Sequence, residues 1–396
     1  MKKYLRFLRF YVIFLFGTGW LFLAGCRNDD MTDFTEDDEV PEVPVDPEDP
    51  EDPVAELKVE GFFLLNEGNM FQNKASLDYF DDATGTYSRN IFSRANPDAV
   101  GGLGDVGNDI GIYGSKLYVV VNASNKVEVL DVETGKRLKQ IDVDNCRYIT
   151  FYEGKAYLST YLGSIGDPNA PNGIVAEIDT TSLNITRTVE VGRQPEELAA
   201  YEGKIYVANS GGYSPPDYET TISVIDIASF TETKRIEVAK NLHRLKIDEE
   251  GDIYVSSRGD YYDIPSRLFV VDTGKDEVKD TLDIAVSDLA IHEGIAYTYS
   301  MEFSYVTGAN TISYNKIDTR TENILEGSFI TDNTVEKIKT PYGLAIRPDN
   351  GEILLTDAGD YVTPGVLYCF YPDGTLKWSV KTGDIPAHFA FKTNQQ

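Results

Sequence analysis

Glu197-Leu-Ala-Ala-Tyr-Glu-Gly-Lys-Ile-Tyr206 decides how this chain folds. It reads as a short apolar strand, a tight Gly-containing turn and a second strand ending on an aromatic ring. The unit recurs. Before it come Asp109-Ile-Gly-Ile-Tyr-Gly-Ser-Lys-Leu-Tyr118 and Arg147-Tyr-Ile-Thr-Phe-Tyr-Glu-Gly-Lys-Ala-Tyr157. After it come Arg244-Leu-Lys-Ile-Asp-Glu-Glu-Gly-Asp-Ile-Tyr254, Asp288-Leu-Ala-Ile-His-Glu-Gly-Ile-Ala-Tyr297 and a looser copy, Gly343-Leu-Ala-Ile-Arg-Pro-Asp-Asn-Gly-Glu-Ile-Leu354. The steps between the closing residues are 39, 49, 48, 43 and 57, a spacing that suits four strands and their loops.

Third and fourth strands follow each unit, as Thr221–Asp226 with Thr233–Val238, Val127–Asp131 with Leu138–Asp142, and Leu268–Asp272 with Val278–Leu282. Asp-x-x-Thr-Gly turns such as Asp131 to Gly135 mark these pairs as hairpins. No stretch carries a convincing helical period. A seventh unit is divided between the ends of the domain: Phe62-Phe-Leu-Leu65 is a second-type strand lacking an inner neighbour, and His388-Phe-Ala-Phe391 is an inner strand with nothing after it. Pairing them closes a ring and removes the exposed sheet edges. The fold class expected is therefore all-β, a seven-bladed β-propeller of four-stranded antiparallel blades closed by its N- and C-terminal strands. Six blades is the rival count, because residues 298–342 are irregular.

The N-terminus sets the compartment. Lys2, Lys3, Arg6 and Arg9 precede an apolar run, Phe10 to Leu23, that ends in Leu23-Ala24-Gly25-Cys26. A basic start, a short apolar core and small residues before a cysteine mark a lipoprotein signal over 1–25, with Cys26 the lipidated residue. Residues 26–60 hold fifteen Asp and Glu against Arg27 and Lys58, with repeated prolines, and read as an acidic Pro-rich tether. The propeller spans 61–396. The whole chain has a formal net charge of −29, and loss of the four basic signal residues makes it −33, of which −20 falls on residues 61–396. Such a surface repels nucleic acid, so no nucleic-acid partner is expected, and contact with the membrane is through the lipid alone. Cys146 and Cys369 fall on different strands of distant blades and read as buried thiols.

The loops are asymmetric. Those joining second to third strands are long and aromatic, and carry Tyr161, Tyr213, Arg258, Tyr261, Tyr262, Phe303, Tyr305, Asp360 and Tyr361. The opposite face has tight turns. Long loops enriched in Tyr on one face point to a binding surface. Arg147, His243, Arg244, Tyr342 and His388, where the chain enters inner strands, add polar groups. Asn66, Glu67, Asn122 and Asn209 end second strands, either reaching the ligand or capping turns.

Catalytic patterns are sparse. His243, His292 and His388 lack metal spacing, and no nucleophile elbow, His-Glu-x-x-His or phosphate loop occurs. Trp20 and Trp378 are too few for the tryptophan docking of quinoprotein propellers or for WD repeats. A metal-assisted lactonase or lyase would need a convergent set such as Glu67, Asn122, Asn209 and Asp357. The residues favour binding over catalysis, with no cofactor and no resident metal.

Phe62-Phe-Leu-Leu-Asn-Glu-Gly-Asn69, the Val224-Ile-Asp226 strand and Tyr254-Val-Ser-Ser-Arg-Gly-Asp260 together resemble the YncE-like propeller lipoproteins of Bacteroidetes. That group includes BtuG-type surface proteins. The resemblance implies a lipid-anchored protein at the outer-membrane surface, and the acidic run from Asp29 resembles the surface-export signal of such lipoproteins. It implies cobalamin or another corrinoid as ligand and a TonB-dependent outer-membrane receptor of the BtuB type as partner. A glycan or peptide bound for another uptake system is the alternative.

Overall fold

The computed structural model describes residues 38–39, 56–163, 167, 169–304 and 309–395. The signal peptide, Cys26, nearly all of the tether and Tyr305 lie outside them. The described residues form seven antiparallel sheets in a ring. Each repeat quoted above is the inner two strands of one sheet, which runs inner to outer in chain order. Blades 2 to 7 have inner strands Gly107–Tyr113, Cys146–Tyr152, Pro195–Tyr201, Leu242–Ile247, Asp288–His292 and Pro341–Ile346. Blade 1 closes the ring. Its inner strand is the C-terminal Pro386–Thr393, paired antiparallel with Val59–Asn66, and Ser76–Asp81 and Thr86–Ser88 follow outward. Asp38–Glu39 adds a two-residue fifth strand on that edge, within the stretch read as tether. The count is seven.

The periodic aromatic is the spacer between blades. Tyr118, Tyr157, Tyr206 and Tyr254 hold the same place in successive second strands, and each is fully buried. Tyr118 joins a core cluster with Cys146, Ile149 and Leu158 of the next blade, and Tyr157 joins one with Leu198, Ile205 and Val207 of its neighbour. Tyr206 and Tyr254 do the same one and two blades on. Two of the hydroxyls reach forward as well: Tyr254 donates to the Thr319 carbonyl at 3.0 Å and Tyr206 to the Thr273 carbonyl at 3.4 Å, each in the next blade. The core is thus seven interlayer clusters, one per blade junction, and burying each ring contributes about 1.5–3 kcal/mol. At the closing junction Phe62 packs on Phe80, Phe389 and Phe391, with Trp378 of blade 7 stacked on Phe80.

Blade 6 explains the irregular stretch. Its middle strands, Ile295–Ser304 and Ala309–Asp318, are ten residues each, its outer strand Asn323–Leu325 is three, and a 3₁₀ turn at Asn333–Glu336 precedes blade 7. The other helical piece is Ile91–Ala95, a single short turn of α-helix after blade 1. Cys146 and Cys369 are both free and buried, and burial pushes the Cys146 thiol up to about 12.

Candidate ligand-binding site

The long loops open a cleft of about 470 Å³ over blades 5, 6 and 7, to one side of the ring axis. The long hairpin of blade 6 supplies one wall through Met301, Glu302 and Phe303. The second-to-third loops of blades 5 and 7 supply Tyr261, Tyr262 and Tyr361, and His243, Arg244, Arg258, Tyr299 and Tyr342 line it more deeply. Tyr261, Tyr262 and Phe303 are more than half exposed, at 55%, 65% and 55%. Large rings held in water around a concavity are a recognition feature, because a folding chain otherwise buries them.

A repeated Gly-Asp-Tyr builds two of these displays. In Gly259-Asp260-Tyr261 the Asp260 carboxylate accepts the backbone N–H groups of Tyr262, Asp263 and Ile264 at 2.8–3.0 Å. In Gly359-Asp360-Tyr361 the Asp360 carboxylate accepts those of Val362 and Thr363, which hold its pKa down at about 2. Both tyrosines take left-handed backbone angles, φ +64° and +63°, a conformation bulky residues avoid and one found at functional sites. Gly259 has no substitute, since a Cβ there would lie 2.0 Å from the Ile264 carbonyl oxygen. Asp360, a candidate contact from the sequence, is therefore the residue that shapes the loop presenting Tyr361.

Below the rings lies a charged layer. Arg244 pairs with Asp288 at 3.1 Å and donates to the Tyr148 hydroxyl at 3.2 Å. The Arg147 and Arg244 guanidiniums both lie over the Tyr148 ring, 5.5 and 5.4 Å from its centroid, a cation–π arrangement. Tyr148 Oη is 3.2 Å from His243 Nε2, and Arg258 Nη2 is 2.8 Å from that same nitrogen. Burial, then Arg258 and Arg244, push the His243 imidazole well below its ordinary range, so it is neutral. Arg244 also lines a second cavity of about 450 Å³ on the far side of this layer, bounded by the inner strands of all seven blades. There burial raises Asp109 and Asp288; for Glu197 burial is outweighed by Lys246 and Arg244, and it is lowered.

The structure gathers His243, Arg258, Tyr261, Tyr262, Phe303, Tyr342 and Tyr361 into the cleft. Glu67 and His388 stand beside it: Tyr342 donates to Glu67 at 2.8 Å and His388 Nε2 is 3.3 Å from the same carboxylate. Arg147 and Tyr161 form a separate cluster over blades 3 and 4. Tyr161 is buried, donates to Glu196 at 2.5 Å and lies edge-on to the exposed Tyr213. Three asparagines hold the scaffold. Asn66 donates to Ser76 Oγ, Asn122 to the Cys146 carbonyl, and Asn209 to Thr221 Oγ1 and Ser223 Oγ, and all three are fully buried. Asp357 accepts the backbone N–H groups of Lys339, Thr340 and Gly359. The metal set conceived from Glu67, Asn122, Asn209 and Asp357 therefore does not assemble, each member being committed to its own surroundings. No group of three or more His, Cys, Asp or Glu able to hold a metal ion occurs among the described residues.

Tyr148, Glu196, Tyr299 and Met301 were missed by sequence reasoning. Tyr148 sits beside Arg147, and Tyr299 lies two residues beyond the periodic Tyr297 on the same strand face, which is the one clue available to it.

The model of a domain of unknown function, DUF5074, matches residues 60–366. The chain belongs to that family. No curated protein matches this DUF5074 chain. Among solved structures it is similar to a quinonprotein alcohol dehydrogenase-like protein from Bacteroides thetaiotaomicron, with TM-score 0.57 and 15% identity over 85% of this chain and 79% of that one. It is also similar to a hypothetical selenium-binding protein from Sulfolobus tokodaii, with TM-score 0.59 and 10% identity over 86% and 94%. Kuenenia stuttgartiensis hydrazine synthase gives TM-score 0.54 and 16% identity over 66% and 76%. At these identities the likeness is one of fold.

Proposed function

We propose that this DUF5074 propeller captures a small molecule at its loop face rather than transforming one, and that the ligand is a corrinoid. One observation carries the reading: a half-open cleft of about 470 Å³ that combines exposed Tyr261, Tyr262, Phe303 and Tyr361 rings with a floor of Arg244, Arg258 and neutral His243. Its volume falls within the roughly 300–1,000 Å³ of ligand pockets. A corrin is broad, flat and rimmed with amides. Aromatic faces pack on such a ring, and guanidinium, imidazole and phenol groups meet its amides without any covalent step. The resemblance carried by Phe62–Asn69, Val224–Asp226 and Tyr254–Asp260 points the same way.

In this reading the protein is tethered at the outer-membrane surface through Cys26 and passes its ligand to a TonB-dependent receptor of the BtuB type. Among the described residues no helix is long and apolar enough to cross a membrane. Calorimetric titration with cyanocobalamin tests the ligand, and absence of binding at micromolar concentrations would remove the corrinoid. Exposed tyrosines on a wide mouth suit sugar rings as well, so a glycan array separates the second reading from the first.

A further inference from the structure

Three arginines meet around Tyr148 and His243, and two are neutralised. Arg147 donates to one carboxylate oxygen of Glu196 from both Nη2 at 2.7 Å and Nε at 3.1 Å, and Arg244 pairs with Asp288. Arg258 is different. Among the described residues no carboxylate lies within ion-pair distance of it, and its hydrogen bond is to the uncharged His243 ring. This happens in a propeller domain carrying a net −20, where most arginines find an acid. Around it the cleft is lined by Tyr261, Tyr262, Ile264, Val286 and Phe303, and the one carboxylate in the lining, Glu302, stands exposed and makes no ion pair with either Arg258 or Arg244.

A guanidinium has five N–H donors in a planar fork and no acceptor. One of them is held by His243 Nε2, which leaves the others to the cleft. A cation kept among aromatic and aliphatic side chains with no carboxylate in direct contact, the more distant Glu196 being already paired to Arg147, is costly unless something outside the chain supplies that charge. We propose that Arg258 is the anion-recognition group of the cleft, taking two oxygens of a phosphate or carboxylate on the captured ligand, and that His243 is the positioning residue that aims it. This rests on the reading of the cleft as the ligand site. An imidazole suits the task, because it accepts a hydrogen bond without cancelling the arginine's charge as a carboxylate would.

The test uses the full chain in detergent, with inorganic phosphate and acetate titrated calorimetrically at an ionic strength held constant with chloride. Saturable binding of at least one anion is expected, weakened at least tenfold in Arg258→Met, less in Arg258→Lys, and several-fold in His243→Gln. Far-UV circular dichroism and the melting temperature establish that each variant is folded. Equal anion affinity in the unaltered protein and a folded Arg258→Met, or no saturable binding of either anion, overturns the subsite. A second arm compares cyanocobalamin, whose nucleotide loop contains a phosphodiester, with cobinamide, which lacks that loop. Loss of affinity in Arg258→Met for cyanocobalamin but not cobinamide supports both readings and identifies phosphate as the anion. Arg258-dependent anion binding with neither corrinoid bound keeps the subsite and removes the corrinoid. Corrinoid binding that Arg258→Met leaves unchanged, with no anion binding, does the reverse.

Discussion

Arg258 Nη2 lies 2.8 Å from His243 Nε2, and the contact fixes the state of the histidine. A guanidinium cannot accept, so Nε2 is the acceptor and the ring proton sits on Nδ1. The same nitrogen is 3.2 Å from the Tyr148 hydroxyl, which itself receives a hydrogen bond from Arg244; Nε2 has a single lone pair, and the closer Arg258 contact takes it. Polar contacts thus link Arg244, Tyr148, His243 and Arg258 across blades 3 and 5.

This arrangement makes the protein sensitive to acid. Burial, then the neighbouring arginines, hold His243 well below its ordinary 6.5 in the folded state. The unfolded chain therefore takes up that proton first as pH falls. The contribution is fully present above about pH 6.5 and is lost below it, at up to about 1.4 kcal/mol per pH unit. Urea unfolding should show stability falling between pH 6.5 and 5, and His243→Gln should flatten that slope. Parallel slopes would mean that another group titrates there.

Glu196 should be among the costliest single residues to remove. It is buried and accepts from Arg147 Nε, Arg147 Nη2 and the Tyr161 hydroxyl. Glu196→Ala leaves a buried guanidinium with Asn108 as its remaining side-chain hydrogen-bond partner, and is expected to cost about 3–5 kcal/mol. Adding Arg147→Met should recover most of the loss, as read in a double-mutant cycle by chemical denaturation.

Tyr261 should show a conflict between stability and binding. Its ring is exposed and its φ of +64° suits glycine better than any side chain. A left-handed backbone costs a side-chain-bearing residue about 1–2 kcal/mol, offset by the roughly 0.5–1 kcal/mol glycine loses in chain entropy. Tyr261→Gly should therefore leave the thermal midpoint unchanged or slightly raised while weakening ligand capture. A large drop in the midpoint would show that the ring packs for stability instead.

Local rules made the architecture legible. The Gly turn and the ring that ends each second strand recur because each blade needs a tight inner hairpin and a spacer against the next, as Tyr118 and Tyr254 show. Closure could be inferred from Phe62–Leu65 and His388–Phe391 because each strand lacks a local partner. The site was legible in part. Long aromatic loops indicate a face, but composition does not reveal which way a ring turns. Tyr161 and Tyr261 sit in similar loops, and a carboxylate from the next blade, Glu196, draws the first inward. The off-centre position of the cleft depends on the long hairpin of blade 6, whose strands continue to Ser304 through a stretch with no repeat pattern. Asn122 and Asn209 carry binding-type side chains yet serve backbone and hydroxyl groups around them, and that choice depends on neighbours distant in the sequence.

The most direct test titrates cyanocobalamin into three forms of the protein side by side: unaltered, Tyr261→Ala with Tyr262→Ala, and Tyr371→Ala on the third-to-fourth turn of the opposite face. One ligand per chain at micromolar affinity or tighter is predicted for the first and third, with at least tenfold weaker binding in the second and the same melting temperature throughout. Equal affinity in all three would place the site elsewhere.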